Sequence, residues 1–282
     1  IKGQFGTKLE ILEKSWQEGA TSYIHLAKLD GAMAAIKHYK ATNKEQRGWF
    51  HREMVVLKEF NHPLILDLID FRMHEECLYP FVVTPLHEYG TLSKMLIDSN
   101  IITPWLYKLK VLYQIALGMQ FLHDNSILHL DLKADSCLIN SCDIEDQVVV
   151  RIFDFGSVLP VVDQQIEAPT ATPTHAAPEM WEKKNINIHT DIYSFGICIA
   201  EVLQETGMYD DFPVFIHDVR DAVLVGERPI VEGEEKYPKE LVSMMKRCWD
   251  HYPNKRPSSF EDILNGLNLV ILETPLEPEF LR

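Results

Sequence analysis

Three short stretches, far apart in the chain, carry side chains suited to handling negative charge. They are Ala35-Ile36-Lys37, His129-Leu130-Asp131-Leu132-Lys133 and Asp154-Phe155-Gly156. Any one of them can arise by chance in 282 residues. Their order and spacing together are far more specific. They bring two lysines and two aspartates, one aspartate standing two residues before a lysine. Glu53 adds a carboxylate within a stretch of helical spacing. Phosphoryl transfer asks a protein for little more: cations on the phosphates, a carboxylate for a metal ion, and a carboxylate to orient the acceptor hydroxyl.

Such groups need rigid elements to hold them. Residues 21–28 and 33–38 are apolar-rich runs around the turn Leu29-Asp30-Gly31, a hairpin ending at Lys37. Between residues 45 and 60, Phe50, Met54, Leu57 and Phe60 recur at helical spacing, and Asn61-His62-Pro63 ends that helix. Residues 78–84 form a further apolar run. From Thr91 onward helices dominate, with Leu112, Ile115, Met119 and Leu122 marking a buried one that leads to His129. Residues 148–153 read as a short strand entering Asp154. Residues 192–203 and 241–249 read as helices, and residues 160–173, rich in proline and threonine, as a mobile loop. The expectation is an α+β fold in which a small β-rich lobe with one key helix precedes a larger helical lobe.

Composition narrows the partners. The formal net charge is −15, from 42 acidic and 27 basic residues, which opposes nucleic acid or an anionic membrane as the main partner. No apolar stretch is long enough to span a bilayer. The five cysteines form no CxxC and are odd in number, as expected of free thiols in a reducing compartment such as the cytoplasm. His25, His38, His51, His62 and His123 have no ligand spacing and read as surface or core histidines.

With their flanks, the three stretches resemble the phosphate-anchoring lysine, catalytic loop and metal-binding turn of a eukaryotic protein kinase. Ala177-Pro178-Glu179 resembles the APE element, Arg256 its ion-pair partner, and Asp191 the aspartate that braces the catalytic loop. Cys248-Trp249 with Arg256-Pro257 is typical of the tyrosine-kinase-like group. The segment 113–135, the connector 140–151 and Met244-Met245-Lys246-Arg247-Cys248-Trp249-Asp250 look similar to the Roco or leucine-rich-repeat kinases. The catalytic loop is also similar to that of the Mos kinases. A Roco-like parent would carry a GTP-binding Roc-COR module as well.

The resemblance implies one kinase domain over residues 1–282, with an N-lobe at 1–84, a hinge at 85–90, a C-lobe at 91–272 and an exit segment at 273–282. It implies ATP and Mg²⁺ as cofactors, in a cleft between the lobes. Lys37 would grip the phosphates, positioned by Glu53, and Asp131 would act as catalytic base with Lys133 neutralising the transferred group. Ile24 and Ala35 would cover the adenine and Leu138 would lie beneath it. Thr84 would be the gatekeeper, His87 would belong to the hinge, and Gly19 to the phosphate loop. Asp154 and, at the asparagine position, Ser136 would face metal. Lys133 with Thr172 favours Ser/Thr acceptors.

The sequence departs from that pattern in four ways. The phosphate loop has Gln17, Gly19 and Ser22 where three glycines are usual. Leu130 replaces the arginine that receives an activation-loop phosphate. Ser136 replaces the asparagine that serves the second magnesium. Ala171 precedes Thr172 in place of glycine, with His175 and Ala176 ahead of the APE element. The main reading is a Ser/Thr protein kinase of weakened activity, acting on a protein substrate. The alternative is a pseudokinase, a nucleotide-binding or nucleotide-free scaffold for a regulatory protein partner. A small-molecule phosphotransferase is the third reading, opposed by the APE, Asp191 and Arg256 elements.

Overall fold

In the computed structural model, which describes residues 9–18, 22–40, 44–72, 80–98, 100–101, 103–161, 172–205 and 216–274, the chain reverses at Asp30-Gly31. Both residues have positive φ, 48° and 90°, the backbone that a two-residue hairpin requires. Two units are distinguished, Ile1–Glu88 and Tyr89–Arg282.

The first unit runs β1 (Leu9–Glu18), β2 (Ser22–Leu29), β3 (Ala32–Tyr39), α1 (Lys44–Glu59), β4 (Asp70–Arg72) and β5 (Phe81–Pro85). Its sheet has the order β1-β2-β3-β5-β4, every pair antiparallel. Side chains alternate between faces. Ala34 and Ile36 therefore join Ala27, Phe81 and Val83 in one core cluster. On the other face Tyr39 and Val82 meet Phe50 and Met54 of α1. Burying two such side chains stabilises the unit by about 1.5–3 kcal/mol each. Strand β1 was not expected from the sequence. It is an edge strand, exposed along most of its length, and its register against β2 shifts between Ile11, Glu13 and Gln17. Charge on Glu10, Glu13 and Lys14 masks the alternation, as is common where an edge must resist further pairing.

The second unit runs α2 (Leu92–Ile97), α3 (Trp105–Asp124), β6 (Ile127–Leu128), β7 (Cys137–Ile139), β8 (Val150–Ile152), β9 (Leu159–Pro160), α4 (Pro178–Trp181), α5 (Ile188–Gln204), α6 (Ile216–Leu224), α7 (Lys239–Cys248) and α8 (Phe260–Glu273). Strands β6 and β9 pair, as do β7 and β8. Helix α5 is buried from Thr190 through Leu203, which explains its apolar character all round. Asn187 starts it by accepting the His189 amide at 2.9 Å, while Thr190 Oγ1 accepts the Asn187 amide at 3.2 Å. Gly196 lets α5 lie against α7: a Cβ there would fall 2.9 Å from Cys248 Cβ and 3.0 Å from the Trp249 amide nitrogen.

The connector between β7 and β8 is stapled to one face of α3. Tyr107 donates to the Ser141 carbonyl at 2.7 Å, and Lys110 to those of Ile144 and Asp146 at 2.5 Å each. Gln114 donates to the Gln147 carbonyl at 2.7 Å and accepts the Val149 amide at 2.9 Å. Positions 107, 110 and 114 stack on a helix, so a long insertion is fixed without a core of its own.

The α+β class agrees with the expectation. The loop expected at 160–173 lies mostly outside the described residues, as does Cys77. Cys137, Cys142, Cys198 and Cys248 are free thiols. Among the described residues no helix is long and apolar enough to cross a membrane.

Candidate active site

Strand pairing collects the first unit's candidates. Ile24 stands opposite Lys37, and Ala35 opposite Thr84. Directly opposed residues share a face, so Ile24, Ala35, Lys37 and Thr84 lie on one side of the sheet. That side also carries Tyr39, whose ring centroid is 4.9 Å from the Lys37 ammonium. Helix α1 brings Glu53 to the same place. Lys37 Nζ donates to both Glu53 oxygens, at 3.0 and 3.2 Å. Glu53 is only 1% exposed, and an unpaired carboxylate there would be costly, so the pair fixes the ammonium. His87 follows β5 and is half-buried. Gly19 lies outside the described residues.

In the second unit Asp191 organises the loop that begins at His129. Its carboxylate accepts the amides of His129 at 2.9 Å and Leu130 at 2.8 Å, and its Oδ2 is 2.8 Å from His123 Nε2. Burial opposes its charge, but the hydrogen bond and charge of His123, with the other contacts, hold its carboxyl below the usual range. Leu130 is thereby kept at φ 63°, a left-handed conformation costly for a leucine. His129 is fully buried. Its Nδ1 accepts the Asp131 amide and its Nε2 faces the Phe153 carbonyl, both at 3.3 Å, which sets the tautomer with the proton on Nε2.

Asp131 then projects from a braced loop. Its Oδ2 accepts from Lys133 Nζ at 2.7 Å. Its Oδ1 accepts the Thr172 amide at 2.9 Å and the Thr172 hydroxyl at 2.7 Å. Lys133 also donates to Thr172 Oγ1 at 2.5 Å. Carboxylate, ammonium and hydroxyl thus form a closed triangle.

Ser136 is different. Its hydroxyl accepts the Lys133 amide and donates to the Lys133 carbonyl, both at 2.9 Å, and the residue is 0% exposed. Its carbonyl accepts the Phe153 amide at 3.0 Å. Asp154 follows at φ 66°, again left-handed, with Phe155 beneath it stacked edge-on to His129, centroids 5.5 Å apart. Leu138 lies on β7, half-buried, opposite Arg151. Asp135 is hydrogen-bonded by Ser93.

Away from these groups, Arg256 binds Glu179 through two parallel contacts of 2.7 and 2.9 Å. The pair is nearly closed to solvent, 0% and 4% exposed at the side chains. Arg228 and Arg256 each lie 5.1 Å from the Tyr193 ring. Burial pushes the Tyr193 phenol up to about 12.

Glu201 was missed from the sequence. Its Oε2 accepts the Ala134 amide at 3.0 Å, so α5 braces the loop 129–134 twice. The available signal was a carboxylate inside the otherwise apolar run 192–203, where only a buried partner makes a charge tolerable.

The chain is 29% identical over 92% of its length to "Probable serine/threonine-protein kinase roco5" of Dictyostelium discoideum. It is 28% identical over 92% to the dual specificity protein kinase shkE of the same organism. It is 27% identical over 91% to leucine-rich repeat serine/threonine-protein kinase 1 of Mus musculus. It spans only 10%, 36% and 13% of these relatives' own lengths, and 15% or less of three others. The family described as protein tyrosine and serine/threonine kinase matches residues 3–267, nearly the whole chain, and the chain belongs to that family.

Proposed function

We propose that the chain transfers the γ-phosphoryl group of ATP, with Mg²⁺, to serine or threonine of protein substrates. The observation that carries this reading is the triangle of Asp131, Lys133 and Thr172, with 2.7 Å between carboxylate and ammonium. A carboxylate held from both oxygens has one orientation in which to receive an acceptor proton. Asp131 is assigned that task, and Lys133 holds it while offsetting charge beside it. Lys37, gripped by Glu53, binds phosphate oxygens.

Bound magnesium-nucleotide supplies the phosphoryl group and offsets its charge. Magnesium takes hard oxygen donors, and the Asp154 carboxylate fits it. Ser136 fits less well, because its hydroxyl oxygen already accepts the Lys133 amide at 2.9 Å and the residue is fully buried. A slow enzyme with metal held chiefly by Asp154 follows. The same observation favours the second reading, a pseudokinase that works by shifting between states that partners bind differently. The four free thiols among the described residues suit a reducing setting such as the cytoplasm.

The test is transfer of labelled γ-phosphate to a library of Ser, Thr and Tyr peptides. The parent should label Ser/Thr peptides only with Mg²⁺. Asp131→Asn should lose about 10²–10⁴-fold in rate, and Lys37→Met should lose comparably. Equal activity in Asp131→Asn rejects the assignment. No transfer by a folded parent that still binds ATP supports the scaffold.

A further inference from the structure

We propose that His175, Cys198 and Glu201 form a zinc site that joins the segment after Thr172 to helix α5. This goes beyond the phosphoryl-transfer reading and holds whether or not the chain is an active enzyme. Cys198 and Glu201 are three residues apart on α5 and so share a face. His175 reaches them from the turn Pro173–His175. The three are 5%, 0% and 5% exposed, and an imidazole nitrogen, a sulfur and a carboxylate oxygen lie within 4.8 Å of one another.

The imidazole carries the argument. Its Nδ1 is 2.9 Å from Thr174 Oγ1, the type of outer contact that fixes a metal-binding histidine. Its Nε2 is buried and makes no hydrogen bond, although Glu201 Oε2 is 3.2 Å away. That oxygen already accepts the Ala134 amide at 3.0 Å. In the tautomer that donates Nδ1–H to Thr174 Oγ1, the Nε2 lone pair faces a buried carboxylate oxygen 3.2 Å away and is repelled by it. A cation seated between them turns the repulsion into two bonds.

Charge and donor type select the ion. Cys198 is a free, fully buried thiol. On binding, the S–H bond breaks, a sulfur–zinc bond forms and the proton leaves to solvent. Zn²⁺ with one thiolate, one carboxylate and a neutral imidazole is electrically neutral, as a buried site requires. Nitrogen and sulfur donors favour zinc over magnesium, so this site and Asp154 would take different metals. Bonds of about 2.0–2.3 Å in a tetrahedron need donors closer than 4.8 Å, a closure of about 1 Å through side-chain rotation, with water as fourth ligand. Through Glu201 and the Ala134 amide, the ion would also steady the loop beside Lys133.

The decisive experiment uses the 282-residue chain carrying Cys77→Ser and Cys142→Ser, which removes two of the four thiols outside the site and leaves the buried Cys137 and Cys248. After loading and removal of free metal, it should retain one zinc per chain. With cobalt it should show a thiolate-to-cobalt absorption band, and zinc should raise its Tm. Cys198→Ser and His175→Gln should each lose the stoichiometric zinc, the band and the Tm rise, while Lys37→Met keeps all three. If those variants fail to fold, the cobalt band of the parent decides. No band and no bound zinc in the parent means a plain His175–Glu201 ion pair and overturns the proposal. So does undiminished binding by folded Cys198→Ser.

Discussion

Ser136 occupies a position where the resemblance implies a metal ligand, yet its hydroxyl is closed on the backbone of Lys133 from both sides. In Ser136→Ala a buried amide and a buried carbonyl each lose a partner, which costs about 1–3 kcal/mol. Urea unfolding should show that loss as a lower midpoint with unchanged m. An unchanged midpoint would mean that other groups satisfy the loop. His129, linked to it through the Phe153 backbone, sets a pH dependence. Burial depresses its pKa more than the charges of Asp191, Asp131 and Asp154 raise it. The fold therefore keeps His129 neutral, while the unfolded chain takes up a proton near pH 6.5. Its contribution is complete above that value and lost as pH falls through it toward the folded pKa. His25, His62 and His189 shift the same way. Unfolding free energy should drop between about pH 6.5 and 5.5, by up to about 1.4 kcal/mol per pH unit for each such histidine. His129→Gln should make the slope shallower whatever its absolute stability. Asp191 acts in another window: its lowered pKa adds stability above about pH 3.9 that is lost only in stronger acid. An equal slope in parent and variant would show that His129 does not drive the effect.

At the scale of elements, two glycines make a controlled comparison. A Cβ at Gly196 meets Cys248 Cβ at 2.9 Å and the Trp249 backbone at 3.0 Å. Neither can rotate away, so α5 and α7 must part. Gly196→Ala should destabilise by about 1–3 kcal/mol. At Gly266 the obstacle is the methyl of Met244, the far end of a flexible side chain. Gly266→Ala should be neutral, or stabilising by up to about 1 kcal/mol from helix propensity. Thermal unfolding of both variants checks this, and equal losses would refute the packing argument. The contrast also explains what could be read from the sequence. Helices α1, α3 and α5 were legible because their apolar periodicity reflects a buried face, and the hairpin because Asp30-Gly31 supplies its turn. Strand β1 was not, because an exposed edge imposes no pattern on Leu9–Glu18. Helix α8 carried the signal in Phe260, Ile263, Leu264 and Leu267, which are buried at helical spacing, but it went unread beside the Arg256-Pro257 motif. Among the site residues, Lys37 and Glu53 were recognisable from flanking motifs. The closure of Ser136 on Lys133 was not, since a hydrogen bond from a side chain to a backbone three residues away leaves no trace in composition.

For the whole molecule the governing quantity is a net charge of −15. A protein so acidic repels anions and draws cationic partners at distances where no contact yet exists. If phosphoryl transfer is its activity, acceptor peptides with flanking lysines or arginines should show lower KM than peptides with flanking aspartates and the same acceptor. The kcat should differ little, because the field acts on approach and not on the arrangement of Asp131 and Lys133. Salt separates this from a specific contact. The Debye length falls from about 10 Å at 0.1 M to about 3 Å at 1 M, so a preference made by the long-range field should shrink steadily across that range. A preference made by one buried ion pair should persist. Measuring KM for matched basic and acidic peptides across a salt series therefore reads the origin of selectivity directly. A preference for basic flanks that ignores salt would place recognition in a local pocket, and a preference for acidic flanks would mean that a local basic site overrides the charge of the whole.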